Sequence, residues 1–182
     1  MVIYRVAINF PCPPLDGTQP LDMNFEFKSI EMCVERSIRK IILNDSFLIR
    51  DGQERALSIR VGVYLYQELS GWDVDCEYNK IESGNENKCD SSGGARLPDI
   101  IIHQRGRVEI ENNLLWVEVK IFNNAINGDL KKISEFTARP SGDRKIQYRY
   151  GLSISFLPNL KLIWIKDGEP MLESNCPRAS GA

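Results

Sequence analysis

The chain has 182 residues, of which 42% are hydrophobic and 26% are charged, and its formal net charge is −2. These values are typical of one globular domain that buries a core without disulfides, and they exclude a protein held to nucleic acid by bulk positive charge alone. No apolar run approaches the roughly 20 residues that span a bilayer, so we expect no membrane partner.

The cysteines and the histidine limit the kinds of metal site. The five cysteines contain no Cys-x-x-Cys pair, so neither a structural zinc site nor a disulfide framework is expected. His103 is the only histidine, which excludes a histidine-rich metal site. The N-terminus has no basic lead, and Arg5 interrupts its apolar part. We therefore expect no secretory signal, a cytoplasmic location and reduced thiols.

The first half of the chain predicts a strand and two helices ahead of a sheet. Residues 1–28 begin as a strand and pass into a segment rich in turn residues, Pro11–Gly17. Apolar positions then recur at helical spacing over residues 29–43 and again from about residue 51 to 69. Residues 72–78 follow as a strand.

The second half predicts a hairpin, a helix and two more strands. The polar, glycine-rich residues 81–95 are expected to form a mobile loop. Apolar strands over about residues 97–105 and 113–122 should pair as a hairpin. The elements expected after them are a helix, two strands and a frayed tail: 125–138, 148–157, 160–166 and 173–182.

This order of elements predicts an α/β fold, a three-layer sandwich with a central mixed β-sheet flanked by helices. We expect a single domain. Its parts are an N-terminal strand and helix over residues 1–50, a core over residues 51–170 and a flexible tail over residues 171–182.

Two short motifs lie in the predicted hairpin. Pro98-Asp99 opens one strand, and Glu118-Val119-Lys120 closes the other. The strand period of two puts Glu118 and Lys120 on one face. The preceding residues 114–117 are apolar on both faces, as in a strand that is buried on both sides. A carboxylate in such a strand is costly unless it is paired or binds a metal, so the motifs predict a buried charged site.

Context distinguishes Glu118 from other acidic-x-lysine tripeptides in the chain. The one at residues 86–88 falls in the predicted loop, and Asp129 falls on a predicted helix, where residues two apart point to different faces. The only Pro-Asp dipeptide precedes Glu118 by 19 residues, a natural separation for a hairpin partner. The competing interpretation makes Glu118 and Lys120 the polar outer face of an antiparallel strand.

The pattern Pro98-Asp99 followed by Glu118-Val119-Lys120 resembles the PD-(D/E)xK nuclease superfamily, which includes many restriction endonuclease-like proteins. The resemblance covers roughly residues 50–166, and the wider run is similar to small uncharacterised bacterial members. It implies an αβββαβ core and a Mg²⁺-dependent endonuclease that hydrolyses phosphodiester bonds in DNA, with Mn²⁺ as a substitute cation.

The resemblance implies a role for each motif residue. Asp99 and Glu118 would ligate Mg²⁺, and the backbone carbonyl of Val119 would be a further ligand. Lys120 would position and deprotonate the attacking water and stabilise the charge of the transition state.

Glu54 is the candidate for the extra acidic residue that many members supply from the first core helix. It shares a helical stripe with Leu57 and Val61, so it would face the sheet. The competing interpretation is a capping box, in which Asp51 is the N-cap and Glu54 closes the box. Glu68, near the end of the same helix, is a weaker substitute.

A local excess of positive charge follows the motif. Between residues 125 and 150, six basic residues stand against three acidic ones, which suits a phosphate backbone but also a solvated helix and loop. DNA is the expected partner, and a homodimer would serve to cut two strands. The residues expected to contact nucleic acid are Lys131, Lys132, Arg144, Lys145 and Arg149.

Two other interpretations stay open. The chain would be a catalytically inactive nuclease-fold module that binds nucleic acid or protein. Alternatively, the motif would be a structural ion-pair cluster, with Lys120 bridging Asp99 and Glu118 and no cation. Trp72 and Trp116 are more typical of core residues than of base-stacking platforms.

Overall fold

The computed structural model describes residues 23–81, 86–123 and 126–171. The predicted N-terminal strand, residues 82–85 of the predicted loop and the predicted frayed tail lie outside the described residues. The helices are α1 (Met23–Asn44), α2 (Ser46–Arg50), α3 (Glu54–Glu68) and α4 (Ile126–Thr137). The strands are β1 (Asp73–Cys76), β2 (Ile100–His103), β3 (Asn113–Phe122), β4 (Tyr150–Leu157), β5 (Lys161–Lys166) and β6 (Glu169–Pro170).

The strands form one six-stranded mixed sheet in the order β1-β2-β3-β4-β5-β6. β3 and β4 run parallel, and every other neighbouring pair is antiparallel. The predicted hairpin is confirmed as β2 and β3, which are joined through a short 3-10 turn, Ile110–Asn112. From α3 onward the order is helix, three strands, helix, strand, so the predicted α/β class with a central mixed sheet is confirmed.

Alternating side chains of β3 pack into two different cores. Val117 and Val119 join the cluster that contains the apolar residues of α1 and α3. Trp116 points to the other face, where its ring stacks on Phe136 of α4 at a centroid distance of 4.2 Å. Trp72 is buried as well, so both tryptophans are core residues as predicted. Helices on both faces make the three layers.

Helix α1 begins earlier than predicted, at Met23. Its first turns are fixed by tertiary contacts that a local pattern does not reveal. Phe27 packs on Tyr150 and Trp164, with ring centroids 5.3 and 5.0 Å away. Glu26 is buried and pairs with Arg149. The residues just before 29, which we expected to precede the helix, are therefore part of it.

Residues 86–95, which we predicted to be part of a mobile loop, pack against the rest of the fold. Lys88 is fully buried, and its ammonium donates to the carbonyl oxygens of Tyr78 and Lys80 at 3.1 and 2.6 Å. Asp90 is also buried and accepts the backbone N–H of Gly94 at 2.8 Å. Two polar side chains that the composition assigned to solvent thus hold this segment against the fold.

Candidate active site

Helix α3 starts at Glu54, so Asp51 and Glu54 do not form the capping box of the competing interpretation. Asp51 does not cap α3; it ends α2, where its backbone N–H donates to the carbonyl of Phe47 at 2.8 Å. Gly52 follows with φ +72, a conformation that favours glycine and separates the two helices. The N-cap position of α3 is Gln53, whose side chain makes no capping hydrogen bond to the helix. The capping-box interpretation is therefore wrong, and the Glu54 carboxylate is available to the sheet.

Strand β3 extends beyond β2 and leaves part of one edge without a strand partner. The last β2–β3 pair is Ile100 with Val117, so within the described part of the chain residues 118–122 have no strand paired on that side. Two carboxylates occupy this edge instead. Asp99 Oδ2 accepts the N–H of Val119 at 2.8 Å, and Glu54 Oε2 accepts the N–H of Ile121 at 3.3 Å. The edge of β3 therefore brings Asp99 and Glu54 together.

Glu118 is the most deeply buried carboxylate of this region, with 1% of its surface exposed. Its Oε1 accepts the indole N–H of Trp116 at 2.7 Å, and its Oε2 accepts the ammonium of Lys132 at 2.9 Å. Burial raises the pKa of Glu118 to about 7, and the negative charge of Asp99 adds to the increase. The two hydrogen bonds only partly offset this cost.

The ammonium of Lys120 donates to Glu54 Oε1 at 2.8 Å and lies 3.8 Å from Asp129 Oδ2. Burial disfavours its charge, but the hydrogen bond to Glu54 and the charges of Asp129 and Asp99 outweigh burial and raise the pKa of Lys120. Lys120 is therefore a stable cation. It pairs with Glu54 and Asp129, not with Asp99 and Glu118 as the ion-pair interpretation required.

Asp99 keeps a raised pKa because its carboxyl group is buried. The N–H of Val119 and the charges of Lys120 and Lys132 lower this pKa, and the charge of Asp129 raises it. The pKa values of Asp99 and Glu118 are thus both raised, which favours the neutral form of each carboxyl group. Such shifts in neighbouring groups are frequent at functional sites.

Helix α4 adds two residues that the sequence did not assign to the site core. Asp129 is 9% exposed, and its Oδ2 has no hydrogen-bond partner among the described residues. Lys132, predicted to contact DNA, instead lies between Glu118 and Asp129, whose Oδ1 is 3.7 Å from its ammonium. The i, i+3 spacing of Asp129 and Lys132 places both on one face of the helix and was the available signal. The complete charged cluster is Glu54, Asp99, Glu118, Lys120, Asp129 and Lys132.

A cleft of about 130 Å³ opens beside the cluster. Glu54 and Asp99 line it together with Arg55, Cys76 and Glu77, among others. Glu54 is the partly solvated member of the cluster, with 43% of its side chain exposed. A ligand in this cleft would meet three carboxylates, those of Glu54, Glu77 and Asp99, and the guanidinium of Arg55.

The predicted nucleic-acid contacts divide into buried and exposed groups. Arg144 is 3% exposed, and its guanidinium donates to carbonyl groups at the end of α4, which lack helical partners. Arg149 is paired with the buried Glu26. Lys131 is exposed, and Lys145 is exposed in a surface pair with Glu86. Arg144 is therefore a structural residue that cannot reach a phosphate.

Glu68, the weaker substitute for Glu54, and the single histidine both lie away from the cluster. The Glu68 carboxylate pairs with Arg36 and Lys40 of α1, so it does not substitute for Glu54. His103 is buried at the other end of β2, and its ring nitrogen lies 2.9 Å from Asp75 Oδ2. Neither residue contributes to the β3 edge.

Raising the pH should destabilise the cation-free protein. The pKa of Glu118 is about 7 in the folded protein, against an ordinary value of 4.5. Between these two pH values the folded protein keeps a proton on Glu118 that the unfolded protein has lost. The free energy of unfolding should therefore fall from pH 5 to pH 8, by on the order of 2 kcal/mol. Urea denaturation in EDTA measures it.

Glu118→Gln is the control for this pH dependence, because it removes the titrating group from the same position. His103, whose pKa is lowered by burial, acts in the opposite direction but is common to both proteins. The difference between the two pH profiles therefore reports Glu118. Identical profiles would contradict a raised pKa at this residue.

No family model, no curated protein and no solved structure matches this chain. Within residues 23–81, 86–123 and 126–171, no helix has the length and apolar character to cross a membrane. The same residues contain no group of three or more His, Cys, Asp or Glu side chains arranged to hold a metal ion.

Proposed function

We propose that the chain is a metal-dependent nuclease of the PD-(D/E)xK superfamily that hydrolyses phosphodiester bonds in DNA. The observation that carries the proposal is the β3 edge, where Asp99, Glu118, Lys120 and Glu54 belong to one charged cluster. Helix α3, the residue before β2, and strand β3 supply them.

The cluster fits a divalent cation in charge and in donor type. Its four carboxylates and two ammonium groups leave two negative charges uncompensated when all are ionised. The buried Oδ2 of Asp129 lacks a hydrogen-bond partner within the described part of the chain, which is consistent with missing positive charge. Oxygen donors suit Mg²⁺.

Asp99 and Glu118 are the proposed protein ligands, with the backbone carbonyl of Val119 as a third oxygen. Because the N–H of Val119 points at Asp99, and the N–H and C=O of one strand residue point to the same side, this carbonyl faces the same edge. Two carboxylates and one carbonyl suffice for Mg²⁺, which usually keeps several waters. Side chains alone supply no larger group within the described residues.

A divalent cation held by Asp99, Glu118 and the carbonyl of Val119 would supply Lewis-acid chemistry for a water and a phosphoryl oxygen. Lys120 contributes a fixed positive charge that stabilises the phosphate in the transition state, since its raised pKa keeps it protonated. This role replaces the expected deprotonation of water by Lys120. Glu54 orients the Lys120 ammonium, lines the cleft and is open to solvent, so it is the group placed to accept a proton.

One observation favours the inactive module as a second candidate. Lys132 already neutralises Glu118, and Arg144 and Arg149 are both used within the fold. A module that only binds would keep this internal pairing and would have no need of a cation.

DNA cleavage distinguishes the two candidates. We expect the protein to cut plasmid DNA in the presence of Mg²⁺ or Mn²⁺ and to stop when EDTA is added. DNA binding without cleavage under any of these cations would favour the module. Parallel reactions on single-stranded DNA and on RNA define the substrate.

A further inference from the structure

The ammonium of Lys132 occupies the place that a cation at Glu118 requires. It lies 2.9 Å from Glu118 Oε2, while the other oxygen of Glu118 is taken by the indole of Trp116. An ammonium and a divalent cation cannot share one carboxylate oxygen without strong repulsion. The side chain of Lys132 is 24% exposed, so it has room to move.

A second carboxylate is ready to receive this ammonium. Asp129 lies one helical turn before Lys132, with Oδ1 3.7 Å from the lysine Nζ. This distance is that of an ion pair and is too long for a hydrogen bond. Asp129 Oδ2, which is buried without a hydrogen-bond partner in the described segments, faces the ammonium of Lys120 at 3.8 Å, so neither nearby ammonium makes a hydrogen bond to this carboxylate and a closer one would gain it.

We propose that Lys132 is a displaceable counter-ion: a divalent cation replaces it at Glu118, and its ammonium moves to Asp129. The inference rests on the proposed function, because it assigns Glu118 to the cation. Lys132 is then a positioning residue that keeps Glu118 charged and oriented before the cation arrives. With the cation bound, two ammonium groups and one divalent cation face the four carboxylates of the cluster, so the exchange ends with the buried charge balanced.

Titration with Mn²⁺ alone, followed by calorimetry at pH 8, tests the displacement. Lys132→Gln should bind Mn²⁺ at least about tenfold more tightly than the wild type, because no ammonium competes for Glu118. Lys132→Arg retains the charge and should bind with wild-type affinity. Lys131→Gln removes an exposed lysine from the adjacent position of the same helix and should also leave the affinity unchanged.

Asp129→Asn tests where the ammonium goes. It should weaken Mn²⁺ binding in the wild-type background, because the displaced Lys132 loses its acceptor. It should have a clearly smaller effect in the Lys132→Gln background, where no ammonium is displaced. Equal effects in both backgrounds would show that Asp129 acts on the cation directly and would overturn the proposed transfer.

The outcomes separate this inference from the proposed function. Wild-type binding that Lys132→Gln leaves unchanged or weakens would overturn the counter-ion role and leave the cation site standing. Absence of Mn²⁺ binding in every variant would overturn both. Circular dichroism and urea denaturation of each variant identify a loss of affinity that comes from unfolding.

Discussion

Replacing Asp99 with asparagine or Lys120 with glutamine should lower the rate of cation-dependent DNA cleavage by at least about 10³-fold. Asp99→Asn removes the negative charge of a proposed ligand. The asparagine side chain would still have an oxygen that accepts the N–H of Val119, so the hydrogen bond at the edge of β3 would be kept. Lys120→Gln removes the fixed positive charge but leaves a side chain that can still donate to Glu54. Both variants should therefore fold.

Two matched controls accompany these variants. Lys161→Gln removes an exposed lysine of β5 that has no assigned role in the site, and Glu77→Gln neutralises a carboxylate that lines the cleft but is paired with Arg55. Both should retain cleavage within a few-fold of the wild type. Cleavage that survives both Asp99→Asn and Lys120→Gln would refute the assigned mechanism.

Gly151→Ala should destabilise the protein by about 2–3 kcal/mol. A Cβ on Gly151 of β4 would lie 2.0 Å from Ile133 Cγ2 and 3.0 Å from Thr137 Cγ2, so α4 would have to move away from the sheet. Ile133 is β-branched and buried, which leaves it little freedom to rotate. Because α4 carries Asp129 and Lys132, the same change should also disturb the charged cluster.

Gly128→Ala on α4 is the control for Gly151→Ala. A Cβ there meets no heavy atom within 4 Å, and alanine favours a helix over glycine, so stability should stay equal or rise by up to about 1 kcal/mol. Urea denaturation of the three proteins gives the comparison. A Gly151→Ala variant as stable as Gly128→Ala would mean that α4 does not approach the sheet closely at this point.

The sequence predicted the hairpin and its motif because both follow from local pattern. Two continuous apolar runs with a polar connection between them predicted the pairing of β2 and β3, and the period of two predicted the shared face of Glu118 and Lys120. The same rule also places Trp116 on that face, so its hydrogen bond to Glu118 was predictable. The assignment of Glu54 needed the structure, because a capping box and a site residue share one sequence pattern.

The contribution of α4 was not predictable from pattern alone. Asp129 and Lys132 belong to the cluster only because α4 crosses from β3 to β4 and packs on the face of Trp116. Arg144 was assigned to DNA from its charge, whereas the free carbonyl groups at the end of α4 bind it inside the protein. Tertiary neighbours, rather than local sequence, decide the role of each of these charges.

The charged cluster lowers the stability of the folded protein. Glu118 has a raised pKa, and Asp129 retains a buried oxygen without a hydrogen-bond partner among the described residues. Buried charges that are incompletely paired usually weaken a protein relative to an apolar replacement. A bound cation would reverse this cost, so cation binding should raise the free energy of unfolding.

Mn²⁺ titration of the wild type, Asp99→Asn, Glu118→Gln and Glu77→Gln tests most directly whether the β3 edge binds a divalent cation through Asp99 and Glu118. We predict one Mn²⁺ per chain for the wild type and Glu77→Gln, and a loss of binding in the two variants of the proposed ligands. Equal binding by all four proteins, or binding by none, would contradict a cation site at this edge.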